Sequence, residues 1–322
     1  MSNEANEKEI VISAKNITRK FPAEGGKTLV ANDNISLDFY KGETVALVGE
    51  SGCGKSTFMR FLVAMDYPTE GEIYFQGKNL LKMKGEEIRH ARKKFQMVFQ
   101  DPTLAFNPMM KIKDIVCEPL LNFGMIKKSE VDQKATELLE MVELSADFIN
   151  RYPHNMSGGQ RQRIGIARAL ACEPDFVVLD EATSALDVSV QKSVLDLICK
   201  LQKERNLTIG FICHDIALVH LVAHRAAVMY LGNIVEVLHG HKIGTEAKHP
   251  YTRALLDSVF SLDMNFDEPI NELKGEIPSP LDLPTGCPFQ NRCSQCMDIC
   301  KKEKPELVEV EFEHQVACHL FK

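Results

Sequence analysis

Three stretches of this sequence carry residue types at spacings suited to phosphate chemistry. The first is Gly49-Glu50-Ser51-Gly52-Cys53-Gly54-Lys55-Ser56-Thr57, which fits G-x-x-x-x-G-K-[ST]. It lies between an apolar run, TVALV, and a helix-patterned segment, STFMRFLVAM, which is the context the motif requires. Gly49, Gly52 and Gly54 let backbone N–H groups around Ser51 converge on phosphate oxygens, and the N-terminus of the following helix favours an anion. Lys55 reaches the terminal phosphates of a nucleotide, the Ser56 hydroxyl is placed for Mg2+, and Thr57 completes the loop. The second stretch is FVVLDE, residues 176–181, an apolar strand pattern ending in two carboxylates. Asp180 is suited to bind Mg2+ through water, and Glu181 to polarise an attacking water as general base. The third, Met156-Ser157-Gly158-Gly159-Gln160-Arg161-Gln162-Arg163, opens a helix that continues IGIARAL. Ser157 caps that helix and the two glycines expose its N–H groups, which makes a second anion site on the same chain.

The elements that must hold these residues can be read from periodicity. Residues 9–48 alternate apolar and polar positions before TVALVG, which predicts strands with the last one buried. GEIYFQG and FQMVFQ read as further strands, and the segment between them, KMKGEEIRHARKK, as a solvated helix. From 112 to 146 the periodicity is helical and predicts an inserted helical region. PDFVVLDE, LTIGFICHD and AAVMYLGNIVEV then read as three strands, with a helix over VSVQKSVLDLICKLQKER. Strands alternating with helices predict an α/β fold built on a parallel sheet covered on both faces. Past about residue 260 the pattern breaks up around IPSPLDLPTGCP, which predicts a small separate C-terminal unit.

At 322 residues the chain is long enough for two domains of about 150 residues each. A net charge of −7 argues against broad attraction to nucleic acid, which needs a basic face. The start, MSNEANEKEI, lacks the basic and apolar regions of a signal peptide, which predicts a cytosolic protein. In that reducing setting the ten cysteines are not expected to form disulfides, and isolated ones such as Cys117, Cys172 and Cys199 read as small buried hydrophobes.

The phosphate loop, the paired carboxylates and S-G-G-Q between them resemble the ATP-binding cassette (ABC) ATPases. Met156 stands where that family usually has Leu, a swap that conserves volume, and Ala182 where proline is common. The resemblance implies a core of parallel sheet with helices, an antiparallel β subdomain and a helical subdomain at about 101–173. It also implies a dimer, in which Ser157, Gly158, Gly159 and Gln160 of one subunit close over the ATP held by the other. Phe21 matches the aromatic that stacks on adenine. Gln100 matches the glutamine that senses Mg2+ and the attacking water, Asp187 the loop that crosses the dimer interface, and His214 the histidine that contacts the γ-phosphate.

Nucleic-acid repair members of that superfamily insert long coiled coils between loop and signature, whereas here about 100 residues intervene without sustained heptads. FQDPTLAFNPMM, RYPHNMSGGQRQRIGIARAL, SALDVSVQ and HPYTRALL are similar to the ATPase subunits of bacterial oligopeptide and dipeptide importers, a group that includes some nickel importers. GGQRQR resembles the second, F-type subunit. The implied assembly pairs this chain with a second related ATPase beneath two membrane permeases at the cytoplasmic face, served by an extracellular or periplasmic peptide-binding protein. The implied division is an ABC domain over 1–260 and an extension over 261–322.

That extension contains Cys287, Cys293, Cys296, Cys300 and Cys318. Cys287, Cys293, Cys300 and Cys318 match the spacing of the importer group, whose set resembles a ligand shell for a four-iron, four-sulfur (4Fe-4S) cluster. Four thiolates equally suit tetrahedral Zn2+, for which His314 and His319 are further candidate ligands, and Cys296 is an extra thiol that could compete.

Overall fold

The structure, a computed structural model, describes residues 8–258, 275, 278, 279 and 281–321. In chain order its main elements begin with β1 (Ile10–Pro22), β2 (Thr28–Tyr40), β3 (Thr44–Val48), α1 (Lys55–Leu62), β4 (Glu70–Phe75) and β5 (Lys78–Asn79). Then come α2 (Glu86–Ala91), β6 (Phe95–Val98), α3 (Pro102–Ala105), α4 (Ile112–Asn122), α5 (Val131–Met141), α6 (Gly158–Leu170), β7 (Phe176–Asp180) and α7 (Val188–Arg205). The chain ends with β8 (Thr208–Cys213), α8 (Val219–Val222), β9 (Arg225–Tyr230), β10 (Asn233–His239), α9 (Ile243–Glu246), α10 (Pro250–Asp257), β11 (Val308–Glu311) and β12 (His314–Val316).

The described residues fall into two compact units. The first comprises those within Met1–Val11, Tyr40–Gly42 and Lys82–Gly210, the second those within Ile12–Phe39, Glu43–Leu81 and Phe211–Lys322. The expected boundary at 260/261 lies outside the described residues, and the described part of the tail clusters with the second unit.

In the first unit β6 and β7 pair in parallel, Phe95 opposite Phe176 through Val98 opposite Leu179. Every residue of β7 is buried, so its apolar run needs cover on both faces. Between these strands the chain is helical, and α4 packs on α5 and α6, helices whose residues Ile115, Val116, Leu139 and Ile164 are all buried. The α2 helix has no buried residue, in line with its charged sequence. The α7 helix runs over the stretch read from sequence, because Asp187 caps its start and Asn206, in the left-handed region at φ 50°, ends it.

The second unit holds a sheet ordered β2-β1-β4-β5. β1 runs antiparallel to β4 from Ile12 opposite Phe75, with a register shift between Lys15 and Thr18. β3, buried along its whole length, pairs in parallel with β9, Val45 opposite Arg225 through Val48 opposite Val228. AAVMYLGNIVEV is two strands rather than the single one expected: β9 turns at Leu231 (φ 42°) and Gly232 (φ 76°) and returns as antiparallel β10. The tail adds β12 to β10 and β11 to β12, short strands that sequence reading missed. Among the described residues no helix is long and apolar enough to cross a membrane.

Candidate functional site

The phosphate loop belongs to the second unit. Buried β3 delivers the chain to Gly49, where a Cβ would sit 2.1 Å from the Met229 carbonyl oxygen. At Gly54 the backbone takes φ 103°, and a Cβ would meet the Ala31 carbonyl oxygen at 2.1 Å, so both positions exclude side chains. Gly54 is also the N-cap of α1 and supplies no side-chain cap, which leaves the first N–H groups of the helix directed at the loop. The buried face of α1, with Phe58, Met59, Phe61 and Leu62, fixes that helix against the core, each side chain contributing about 1.5–3 kcal/mol. Lys55 is buried at 4% exposure, and its Nζ donates to the carbonyl oxygens of Gly49 at 2.7 Å and Glu50 at 2.9 Å. Ser56 and Thr57 follow on the first turn of α1, half-buried. Burial raises the Cys53 thiol above its usual range despite the neighbouring Lys55 ammonium, which fits an inert small residue. Phe21 lies near the end of β1, half-buried, with the Arg19 guanidinium 4.3 Å from its ring centroid. His214 is exposed just past β8, and Asp215 caps the next turn by accepting from the Ala217 N–H at 2.9 Å.

The remaining motif residues belong to the first unit. Asp180 ends β7 at 6% exposure, and Glu181 follows with φ 50°, a left-handed conformation that turns the chain sharply off the strand. The Ser184 hydroxyl donates to the Glu181 carbonyl oxygen at 3.0 Å and accepts from the Gln100 amide at 3.5 Å. Ser184 thus ties the glutamine to the turn that carries Glu181. Sequence reading missed this serine, although it stands within SALD beside Asp187.

Ser157 is the N-cap of α6 as expected: its hydroxyl accepts from the Gln160 N–H at 3.3 Å while the Gln160 side chain accepts from the Ser157 N–H at 2.9 Å. A Cβ on Gly159 would fall 2.4 Å from Val190 Cγ1, so this glycine also permits close approach of α7. Asp187, exposed, accepts from the Val190 N–H at 3.0 Å and from the Ser189 hydroxyl at 2.7 Å, and these hydrogen bonds lower its carboxyl below the usual range. The structure therefore brings Gln100, Ser184 and Glu181 together, and separately Ser157–Gln160 beside Asp187 and α7.

The metal centre expected from sequence on the tail is not supported by the arrangement of the described residues. Among the described residues no group of three or more His, Cys, Asp or Glu is arranged to hold a metal ion. None of the ten cysteines forms a disulfide. Cys287, Cys293, Cys296, Cys300 and Cys318 influence one another electrostatically, yet burial dominates: it pushes Cys287 up to about 12 and also raises Cys293, Cys296 and Cys318. Each of the two candidate histidine ligands engages one ring nitrogen, His314 Nε2 with Glu236 Oε1 at 2.8 Å and His319 Nε2 with the Glu303 carbonyl at 2.9 Å, and each keeps a buried Nδ1 without a hydrogen-bond partner.

Comparison with known proteins agrees with this geometry. The ABC transporter family profile matches residues 32–184, and that of the oligopeptide/dipeptide transporter C-terminal region matches residues 235–300. The chain is 44% identical to the putative oligopeptide transport ATP-binding protein YkfD of Bacillus subtilis (strain 168), covering 97% of this chain and 96% of that one. It is 42% identical to the oligopeptide transport ATP-binding protein AppF of the same organism, covering 98% and 99%. Among solved structures, the dimeric post-hydrolysis state of the ATP-binding cassette MJ0796 bound to ADP and Pi is similar at a TM-score of 0.65. Its identity is 32%, over 71% of this chain and 98% of that chain. Identity at this level over nearly the whole chain, together with a phosphate loop whose Gly49 and Gly54 admit no side chain, places the chain in the ABC transporter ATP-binding protein family, in the group with the oligopeptide/dipeptide transporter C-terminal region.

Proposed function

We propose that this chain is the ATP-hydrolysing motor subunit of an ABC importer that takes up oligopeptides or dipeptides. The observation that carries the ATPase reading is the loop over β3 and α1: glycines where a Cβ would strike backbone, an uncapped helix start and a buried lysine. The cargo class is supported by the C-terminal region at 235–300 and by relatives named for oligopeptide transport.

In this reading Phe21 stacks on the adenine, Gly49 to Thr57 cradle the phosphates, and Lys55 swings from its loop carbonyls to the terminal phosphates. Ser56, Gln100 and Asp180 are the residues that would hold Mg2+, which when bound would supply positive charge for the phosphoryl oxygens. Glu181 takes the proton of the attacking water, Gln100 orients that water, and His214 contacts the γ-phosphate. Ser157, Gly158, Gly159, Gln160 and Asp187 act on the nucleotide of a second subunit, since a capped helix start with exposed glycines is an anion site. Closure and release of such a pair drives permeases between two states.

The finer assembly we propose is a pair with a related ATPase beneath two permeases at the cytoplasmic face of the membrane, with a peptide-binding protein outside. Leu104 and Met109, at 88% and 82% exposure shortly after Gln100, supply apolar surface suited to a permease. The division at 260/261 is kept as a functional one, between cassette and extension. A 4Fe-4S cluster or Zn2+ on Cys287, Cys293, Cys300 and Cys318 has the mutual influence of the thiols in its favour and the lack of a ready-made ligand group among the described residues against it. Iron, sulfide and zinc content of the anaerobically purified chain decides that point. Affinity purification from membranes tests the assembly: permeases and a second ATPase should co-purify, and their absence would overturn it.

A further inference from the structure

HPYTRALL and the cysteine-bearing turn have no task in the nucleotide chemistry described above. Both converge on Glu50, one of the variable positions of the phosphate loop, and each polar group of that residue is engaged. Its N–H donates to the Tyr251 phenol oxygen at 2.9 Å, and its carbonyl accepts from Lys55 Nζ at 2.9 Å. Its carboxylate accepts from both terminal nitrogens of Arg292, at 2.8 and 3.1 Å. This is the bidentate fork that gives arginine–carboxylate pairs their strength and fixed orientation.

The arginine of the pair is shielded, while the Glu50 side chain keeps 22% exposure. The Arg292 side chain is 4% exposed, and its guanidinium lies 5.9 Å from the centroid of the buried Tyr230 ring. Phe289, 2% exposed, packs on the rings of Tyr230 and Tyr251 with centroids 5.2 and 5.3 Å away. The Phe289 carbonyl accepts from the N–H groups of Arg292 and Cys293, both at 3.0 Å, so the ring that anchors the turn also sets where Arg292 points.

A carboxylate on a loop built for anions is a liability. Unpaired, Glu50 would repel a polyphosphate and compete for the Lys55 ammonium, and its partial burial would leave both effects less screened than on an open surface. We propose that Arg292 is a positioning residue for the phosphate loop: it neutralises and fixes the Glu50 carboxylate, so that nucleotide affinity depends on the C-terminal cysteine-bearing turn. The inference rests on the ATPase reading and gives the tail a task within it. Arg292 acts through Glu50, so its loss falls on ATP binding and KM more than on kcat.

The test measures MgATP affinity, KM and kcat on the full-length chain for wild type, Arg292→Ala, Arg292→Lys, Glu50→Gln and the double variant Glu50→Gln/Arg292→Ala. Arg292→Ala should weaken MgATP binding by about tenfold, and Arg292→Lys, which keeps the charge but not the fork, should recover part of the loss. In the double variant the removal of Arg292 should cost nothing further, since its target is already neutral. Thermal melting identifies a variant that does not fold, and Arg292→Lys against wild type then carries the comparison. The proposal is overturned if Arg292→Ala binds MgATP as wild type does, or if removing Arg292 costs as much in the Glu50→Gln background as in wild type. Wild type that bound no MgATP would instead overturn the ATPase reading beneath it.

Discussion

Ser157 and Gln160 cap each other, the serine hydroxyl accepting from the glutamine N–H at 3.3 Å and the glutamine side chain from the serine N–H at 2.9 Å. The residues proposed to face a second subunit's nucleotide thus also hold the start of α6. Ser157→Ala should cost about 1 kcal/mol of stability through the lost cap. Urea denaturation reads that loss, and a larger drop in ATP turnover than in stability would separate the nucleotide role from the cap.

Gly54→Ala puts a Cβ against the Ala31 carbonyl oxygen in a backbone region that alanine avoids. The loop must move to admit it, so MgATP affinity should fall by at least about tenfold while the remainder of the fold persists. Equilibrium titration beside circular dichroism checks both halves.

His249 is 1% exposed, and burial lowers its pKa from 6.5 to about 3. Its Nδ1 accepts from the Tyr251 N–H at 3.0 Å, a cap that requires the neutral ring. Between these two values the unfolded chain binds a proton that the folded chain refuses, so stability falls as pH drops from 6.5 toward 3. His249→Asn keeps the cap without the titration and should flatten the difference in urea midpoint between about pH 7 and about pH 5.

Burial pushes the Cys287 thiol up to about 12, whereas Cys199, Cys293 and Cys296 are only half-buried. Mass spectrometry after brief alkylation at neutral pH should find those three modified at least about tenfold faster than Cys287.

The sequence made the nucleotide motifs legible because their chemistry is local: a glycine loop, a strand ending in acids and a capped helix are each written within about ten residues. The extent of α7 was legible for the same reason, with Asp187 and Asn206 marking its ends. The β9–β10 turn was hidden because its first residue is leucine, Leu231 at φ 42°, so the apolar run reads as unbroken and only Gly232 signals the turn. β11 and β12 are too short to show periodicity and exist through pairing with β10. The Arg292–Glu50 pair joins residues 242 positions apart, beyond the reach of any spacing argument.

The central claim is that this chain hydrolyses ATP with Glu181 as base. MgATP binding and turnover of wild type and Glu181→Gln, measured side by side on the full-length chain, test it most directly. The account predicts equal binding and turnover slowed by about 100-fold or more in the variant. A wild type that neither binds nor hydrolyses MgATP, or a variant that turns over at the wild-type rate, would contradict it.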